Sequence, residues 1–156
     1  TRAFAYPDGA HDAETLLVDP RSGDLYLVSK VSDGHSGVYR AAAPFAQPGG
    51  DEALVLQRVA GLDFGSEAIP GMVLATGGDV SPAGDAVLIL TYNSAHWWAR
   101  PTGQPLHAAF AGPACPVPLV LQPAHEAIAF QGDGAAYLSI REGQHAPIYF
   151  YALAKP

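Results

Sequence analysis

Short apolar runs separated by turn residues recur along the chain, and three segments share one pattern. In the first, Glu14-Thr15-Leu16-Leu17-Val18 leads into Asp19-Pro20-Arg21-Ser22-Gly23-Asp24 and then Leu25-Tyr26-Leu27-Val28. In the second, Thr76-Gly77-Gly78-Asp79-Val80 leads into Ser81-Pro82-Ala83-Gly84-Asp85 and then Ala86-Val87-Leu88-Ile89-Leu90. In the third, Glu126-Ala127-Ile128-Ala129-Phe130 leads into Gln131-Gly132-Asp133-Gly134 and then Ala135-Ala136-Tyr137-Leu138. Each is predicted to be a β-hairpin, because proline presets one turn angle and glycine supplies the positive one. An aromatic third strand is expected after each hairpin, at Val38-Tyr39-Arg40, Trp97-Trp98-Ala99 and Ile148-Tyr149-Phe150-Tyr151. Fourth strands fit residues 54–59 and 117–121, the second at an outer edge, where proline's missing donor is tolerated.

Four short strands repeated about every 40–50 residues are the sequence signature of β-propeller blades. The expected fold class is therefore all-β, with three four-stranded antiparallel blades over about 10–64, 70–122 and 124–154. The third blade runs out of chain after its aromatic strand. The alternating segment Arg2-Ala3-Phe4-Ala5-Tyr6 is expected to supply its outer strand. Three blades do not close a ring, which takes about four to eight. The expectation is a C2 homodimer of half-rings making six blades, each N-terminal strand completing the partner's last blade. The competing explanation is half of a longer six-bladed polypeptide.

The run from Asp12 to Tyr26 resembles the blade signature of bacterial six-bladed β-propeller proteins, the broad group of NHL-type and gluconolactonase-like propellers. Glu126-Ala127-Ile128-Ala129-Phe130 and Gly78-Asp79-Val80-Ser81-Pro82-Ala83-Gly84 follow the same habit. The likeness covers nearly the whole chain, but these motifs specify blades and not chemistry. It implies a group that includes calcium-dependent lactonases, phytase-like enzymes and pure binding scaffolds. Half the usual length is the departure from that pattern.

Composition narrows the function classes. With 49% hydrophobic and 15% charged residues the 156-residue chain is expected to fold, and its net charge of −7 disfavours a nucleic-acid partner. No apolar run is long enough to span a bilayer, so no membrane partner is expected. Cys115 is the one cysteine, which excludes an internal disulfide and a cysteine-framed zinc site. A single cysteine suits cytoplasm and periplasm alike, and the Ala-rich, Lys-poor composition points to a bacterial source.

Aligning the hairpins on Val18, Val80 and Phe130 places Glu14, Thr76 and Glu126 at one position, four residues earlier. Period two sets them on the face of the aligned apolar residue, near one mouth of the channel that first strands line. Asp12, Asp79, His11 and His125 are expected beside them. Clustered carboxylates raise one another's proton affinity unless a cation neutralises them. Glu14, Glu126 and Asp79 are accordingly the candidate metal ligands, and oxygen ligation suits Ca²⁺ or Mg²⁺. The plainer reading is that acids at strand starts bond the amides of a neighbouring blade or sit in channel water. Trp97-Trp98 is expected to divide between core and inter-blade packing. His107 and His145 are expected in loops. No serine stands in a nucleophile-elbow context, and no phosphate-cradling or dinucleotide motif occurs, so no catalytic residue is assigned. The expected function is a non-enzymatic binding or scaffold protein that assembles into a closed ring. The alternative is a divalent-metal-dependent hydrolase of the lactonase or phosphoesterase kind.

Overall fold

A computed structural model describes residues 1–45, 53–65 and 71–153. The described elements are β1 (Phe4–Ala5), β2 (Ala13–Val18), β3 (Leu25–Ser29), β4 (His35–Ala41), β5 (Leu54–Val55), β6 (Gln57–Asp63) and β7 (Ala75–Val80). They continue with β8 (Ala86–Thr91), β9 (Ala95–Ala99), a 3₁₀ turn at Leu106–Ala111, β10 (Cys115–Val117), β11 (His125–Phe130), β12 (Ala136–Arg141) and β13 (Ile148–Ala152). The fold is all-β. Two four-stranded sheets, ordered β2-β3-β4-β6 and β10-β9-β8-β7, are followed by a three-stranded sheet β11-β12-β13. Their pairings are antiparallel throughout. The expected blade limits at 70 and 154 lie outside the described residues.

The three hairpins form where the turn chemistry placed them. Gly23, Gly84 and Gly134 take φ of 77°, 68° and 71°, the left-handed region that a side chain would strain. A second regularity was not read from the sequence. Each first strand carries one extra residue against its partner, between Ala13 and Thr15, between Ala75 and Gly77, and between His125 and Ala127. Glu14, Thr76 and Glu126 are thus the bulged residues of three equivalent β-bulges, a device that re-aims a side chain out of the ladder.

Alternation along the strands gives each sheet two faces, and the core lies between sheets. Leu17, Tyr26, Val28 and Val38 of the first sheet pack with Val80, Val87, Ile89 and Trp98 of the second. On the other face of the second sheet, Leu88, Leu90, Ala95 and Trp97 pack with Ile128, Phe130, Tyr137 and Tyr151 of the third. Full burial of such a side chain contributes about 1.5–3 kcal/mol, so these interlayers hold the sheets together. Trp98 is buried in the first interlayer and Trp97 lies in the second, so the two point to opposite faces as consecutive strand residues do. Both pack between sheets, however, and the expected split into core and inter-blade residue is not seen. The 3₁₀ turn sinks Leu106, Ala109 and Phe110 into the first interlayer, with Phe110 edge-on to Trp98 at 5.5 Å.

Two fourth strands differ from expectation. Residues 54–55 are drawn aside to pair with the N-terminal strand, so β6 begins at Gln57 and the strand edge moves toward Asp63. The outer strand of the second sheet runs earlier, as Cys115–Val117. Pro118, which has no donor for the ladder, marks its end, and the chain crosses to the third sheet. There the Tyr137 hydroxyl donates to the Pro118 carbonyl, and the Val120 amide donates to the Tyr151 hydroxyl. Within this single chain the N-terminal segment lies beside the first sheet, pairing in parallel as Phe4↔Leu54 and Ala5↔Val55, and not beside β13. No described helix is long and apolar enough to cross a membrane.

Candidate functional site

The three bulges and the residues that follow each second strand meet at one end of the sheets. Lys30 directly follows β3, and its amide donates to the Asp12 carbonyl at 2.8 Å. Glu142 directly follows β12, and its amide donates to the Ala124 carbonyl at 2.9 Å in the same arrangement. Tyr92 holds the corresponding place after β8. Lys30, Tyr92 and Glu142 are therefore equivalent positions, as Glu14, Thr76 and Glu126 are.

Lys30 Nζ lies 2.7 Å from Glu14 Oε2 and donates to the Tyr92 hydroxyl at 3.0 Å. It also stands 5.0 Å from the centre of the Tyr92 ring, near enough for a cation–π attraction. Burial works against the ammonium, but the bonds to Glu14 and Tyr92 outweigh it and hold Lys30 above its ordinary pKa. Burial raises the pKa of Glu126, and the charges of Glu14 and Glu142 push the same way. Lys30 and a hydrogen bond with Tyr92 oppose that rise without cancelling it. One ammonium thus joins a carboxylate from the first blade and a phenol from the second, beside a carboxyl of the third that resists ionisation.

Of the residues singled out from the sequence, Glu14 and Glu126 come together here. Thr76 is buried at its bulge, with no hydrogen-bond partner for Oγ1. Asp79 serves the blade junction instead, where Oδ1 accepts from the Val80 amide and Oδ2 from the Phe130 amide, each at 2.8 Å. It holds the second blade to the third, as the plainer reading of such acids expected. His125 is fully buried, with Nε2 2.8 Å from the Val120 carbonyl. His11 belongs to the N-terminal segment, 2.8 Å from Asp8 Oδ1 and 3.0 Å from the Tyr39 hydroxyl. Asp12 is exposed, and its charge raises the Tyr6 phenol behind the effect of burial.

That arrangement does not suit the Ca²⁺ or Mg²⁺ ligand set Glu14, Glu126 and Asp79. Among the described residues no three His, Cys, Asp or Glu side chains gather as a metal site. Lys30 supplies Glu14 with the neutralising cation that an ion would have supplied, and both Asp79 oxygens are held by amides. Sequence reasoning missed Lys30 and Tyr92 because only the first strands were aligned across repeats. Extending that alignment to Ser29-Lys30, Thr91-Tyr92 and Arg141-Glu142 finds them. A separate cavity of about 630 Å³ opens between the second and third blades, lined by Trp97, Val117, Phe130 and Leu153 with Ser81 and Asp85.

No protein-family model matches the chain, and no curated protein matches it. Among solved structures the chain is similar to a putative 6-phosphogluconolactonase from Bacteroides uniformis, with a TM-score of 0.56 at 10% identity. The match covers 99% of this chain and 42% of the other, so the chain spans about two-fifths of that protein's length. At that identity the likeness carries the fold alone.

Proposed function

We propose that the chain is a binding scaffold, three blades of a propeller ring whose axial mouth takes a neutral, polyhydroxylated small molecule. The observation that carries this reading is the Lys30 ammonium held between Glu14 of one blade and Tyr92 of the next. Glu14, Glu126 and Glu142 set three carboxyl groups against one ammonium, so the mouth repels phosphates and carboxylates. Hydroxyl groups suit it, since they donate to carboxylates and accept from Lys30 and Tyr92. The test is a thermal-shift and calorimetry panel of monosaccharides and polyols against sugar phosphates. Neutral polyols should raise the melting temperature, and Lys30→Met should abolish the shift. Binding of the phosphates with no response to polyols overturns the reading.

A second reading rests on Glu126. A carboxyl with a raised proton affinity beside a second acid is the kind of group that works in acid–base catalysis. The resemblance to a protein named as a lactonase supplies the reaction class. In this reading Glu126, as carboxylate, takes a proton from water while the oxygen attacks the lactone carbonyl. The ring C–O bond then breaks and the proton passes to the leaving alkoxide. Turnover of a gluconolactone that falls about 10²-fold or more in Glu126→Gln would favour this reading over pure binding. Unchanged turnover would remove it.

A further inference from the structure

The open edges of the first and third blades show a surplus and a deficit that match. At each junction between blades, an outer element of one blade packs on the near face of the next. Leu62, Ala60 and Phe64, in and just after β6, pack with Trp98 of the second blade. Val117 and Leu119 pack with Tyr137 and Tyr151 of the third. The pairs Val18↔Leu25, Val80↔Val87 and Phe130↔Tyr137 set Leu25, Val87 and Tyr137 at one position of that face. On the first blade the face is also covered: Phe4 and Tyr6, with Leu56 and Phe45, pack with Leu25, Leu27, Tyr39 and Ala41. The first blade already has its own outer strand in β6. Phe4–Ala5 therefore stands where the outer strand of a preceding blade belongs, and among the described residues it pairs only with β5.

The third blade shows the converse. It has three described strands, and β13 pairs on one side only. Its far face is uncovered: Ile148 and Phe150 are 64% and 61% exposed, above a shallow cleft lined by Ala127, Ala129, Leu138 and Ile140. Leu138 in that cleft is only half-buried, whereas Tyr26 and Leu88, at the same position of the other two blades, are fully buried against the blade that follows. Leu16 and Val18, on the inner half of the first blade's near face, are likewise left exposed. Open sheet edges and contiguous apolar faces of this kind mark interfaces.

We infer that each open face is closed by a second copy of this chain, the Phe4–Ala5 strand of one copy serving as fourth strand to the third blade of the other. The inference rests on the ring reading above and deepens it by naming the partner. Surplus and deficit have the same size, one strand, and the contact of third blade with first is the one already made twice within the chain. Two such contacts related by a two-fold axis close six blades, inside the range that rings take.

The test is light scattering and sedimentation of the 156-residue chain, with a mass of about twice 16.2 kDa expected. Phe150→Asp, at an exposed position, should leave the circular dichroism unchanged and weaken association tenfold or more. In a Cys115→Ala background, oxidising Ala3→Cys chains mixed with Ala152→Cys chains should give a disulfide-linked heterodimer. A monomer at every accessible concentration overturns the inference, as does a dimer indifferent to Phe150→Asp that yields no cross-link. A dimer that ignores every polyol keeps this inference and rejects the axial-site reading. A monomer that binds polyols through Lys30 does the reverse.

Discussion

Arg100 Nη1 of the second blade lies 3.0 Å from Asp19 Oδ1 of the first, and the two side chains are 7% and 1% exposed. Around this pair the neighbouring donors and acceptors are engaged as well. Asp19 also accepts from the Arg21 amide and the Ser22 hydroxyl, while Arg100 donates to the carbonyls of Gly84 and Gln104. The pair joins two blades at the hairpin-turn end of the sheets. Leu106, Ala109 and Phe110 close the apolar interlayer beside it.

Breaking a buried pair leaves an uncompensated charge and costs about 3–5 kcal/mol. Arg100→Leu and Asp19→Ala should each lower the unfolding free energy by about that amount, read from urea titration. The double variant should lose less than the sum of the two, because the second removal no longer strands a charge. Additive losses would show that the two residues act separately.

Asp79 tests the assignment of an acid to structure and not to metal. Asp79→Ala orphans the Phe130 amide across the blade junction. A hydrogen bond to a charged acceptor contributes about 1.5–3 kcal/mol, and that is the expected loss. Asp79→Asn retains one carbonyl acceptor and should lose less. Calcium should shift the melting temperature of neither variant differently from the parent; a calcium response that vanishes with Asp79 would restore the ligand assignment.

The pH dependence separates two acids of opposite sign. For Asp24, burial opposes ionisation. The Ala43 amide and the Arg40 guanidinium outweigh it and hold the pKa below the ordinary value. A depressed pKa gives stability that is present above the unfolded-state pKa and lost as pH falls through the folded value. Glu126 has the reverse sign: its raised pKa gives stability present at low pH and lost as pH rises through its folded value. Melting curves from acid to neutral pH should therefore lose part of their acid-side fall in Asp24→Asn. In Glu126→Gln the melting temperature near neutrality should rise by about 1–2 °C, the size of one relieved like-charge contact. A neutral-pH loss in Glu126→Gln would show that its carboxylate is stabilising.

The repeat was legible because its signals are local. Gly23, Gly84 and Gly134 sit in turns that demand positive φ, and the strands beside them alternate or are wholly apolar. The site was half legible for the same reason. Glu14 and Glu126 share a repeat position, so an alignment finds them, but Asp79 follows a different rule. Its neighbours in sequence do not reveal that the amide it must satisfy belongs to Phe130, 51 residues away. Lys30 was hidden because a lone lysine after a strand reads as a solvated charge; its meaning comes from Tyr92, brought to it by the stacking of two sheets. The 3₁₀ turn over Leu106–Ala111 was hidden as well. It makes no repeat and owes its place to the gap it fills between blades.

Gly78 marks how closely the inner strands approach. A Cβ there would come within 2.7 Å of the Leu88 carbonyl oxygen, which is backbone, and 2.9 Å of the side-chain methyls Ile89 Cδ1 and Thr15 Cγ2. Because β7 lies against both β2 and β11, a shift at Gly78 is passed to the two strands that carry Glu14 and Glu126. Gly78→Ala should cost about 1–3 kcal/mol, the range for forcing an extra methyl into a packed interior. Gly132→Ala, with nothing within 4 Å of the added Cβ and no left-handed φ, is the control and should stay within about 0.5 kcal/mol of the parent. Equal stabilities for the two variants in urea titration would mean that the inner strands have room to separate. A loss confined to Gly78→Ala, accompanied by a change in the Tyr92 ultraviolet signal, would tie strand spacing to the geometry of the Lys30 cluster.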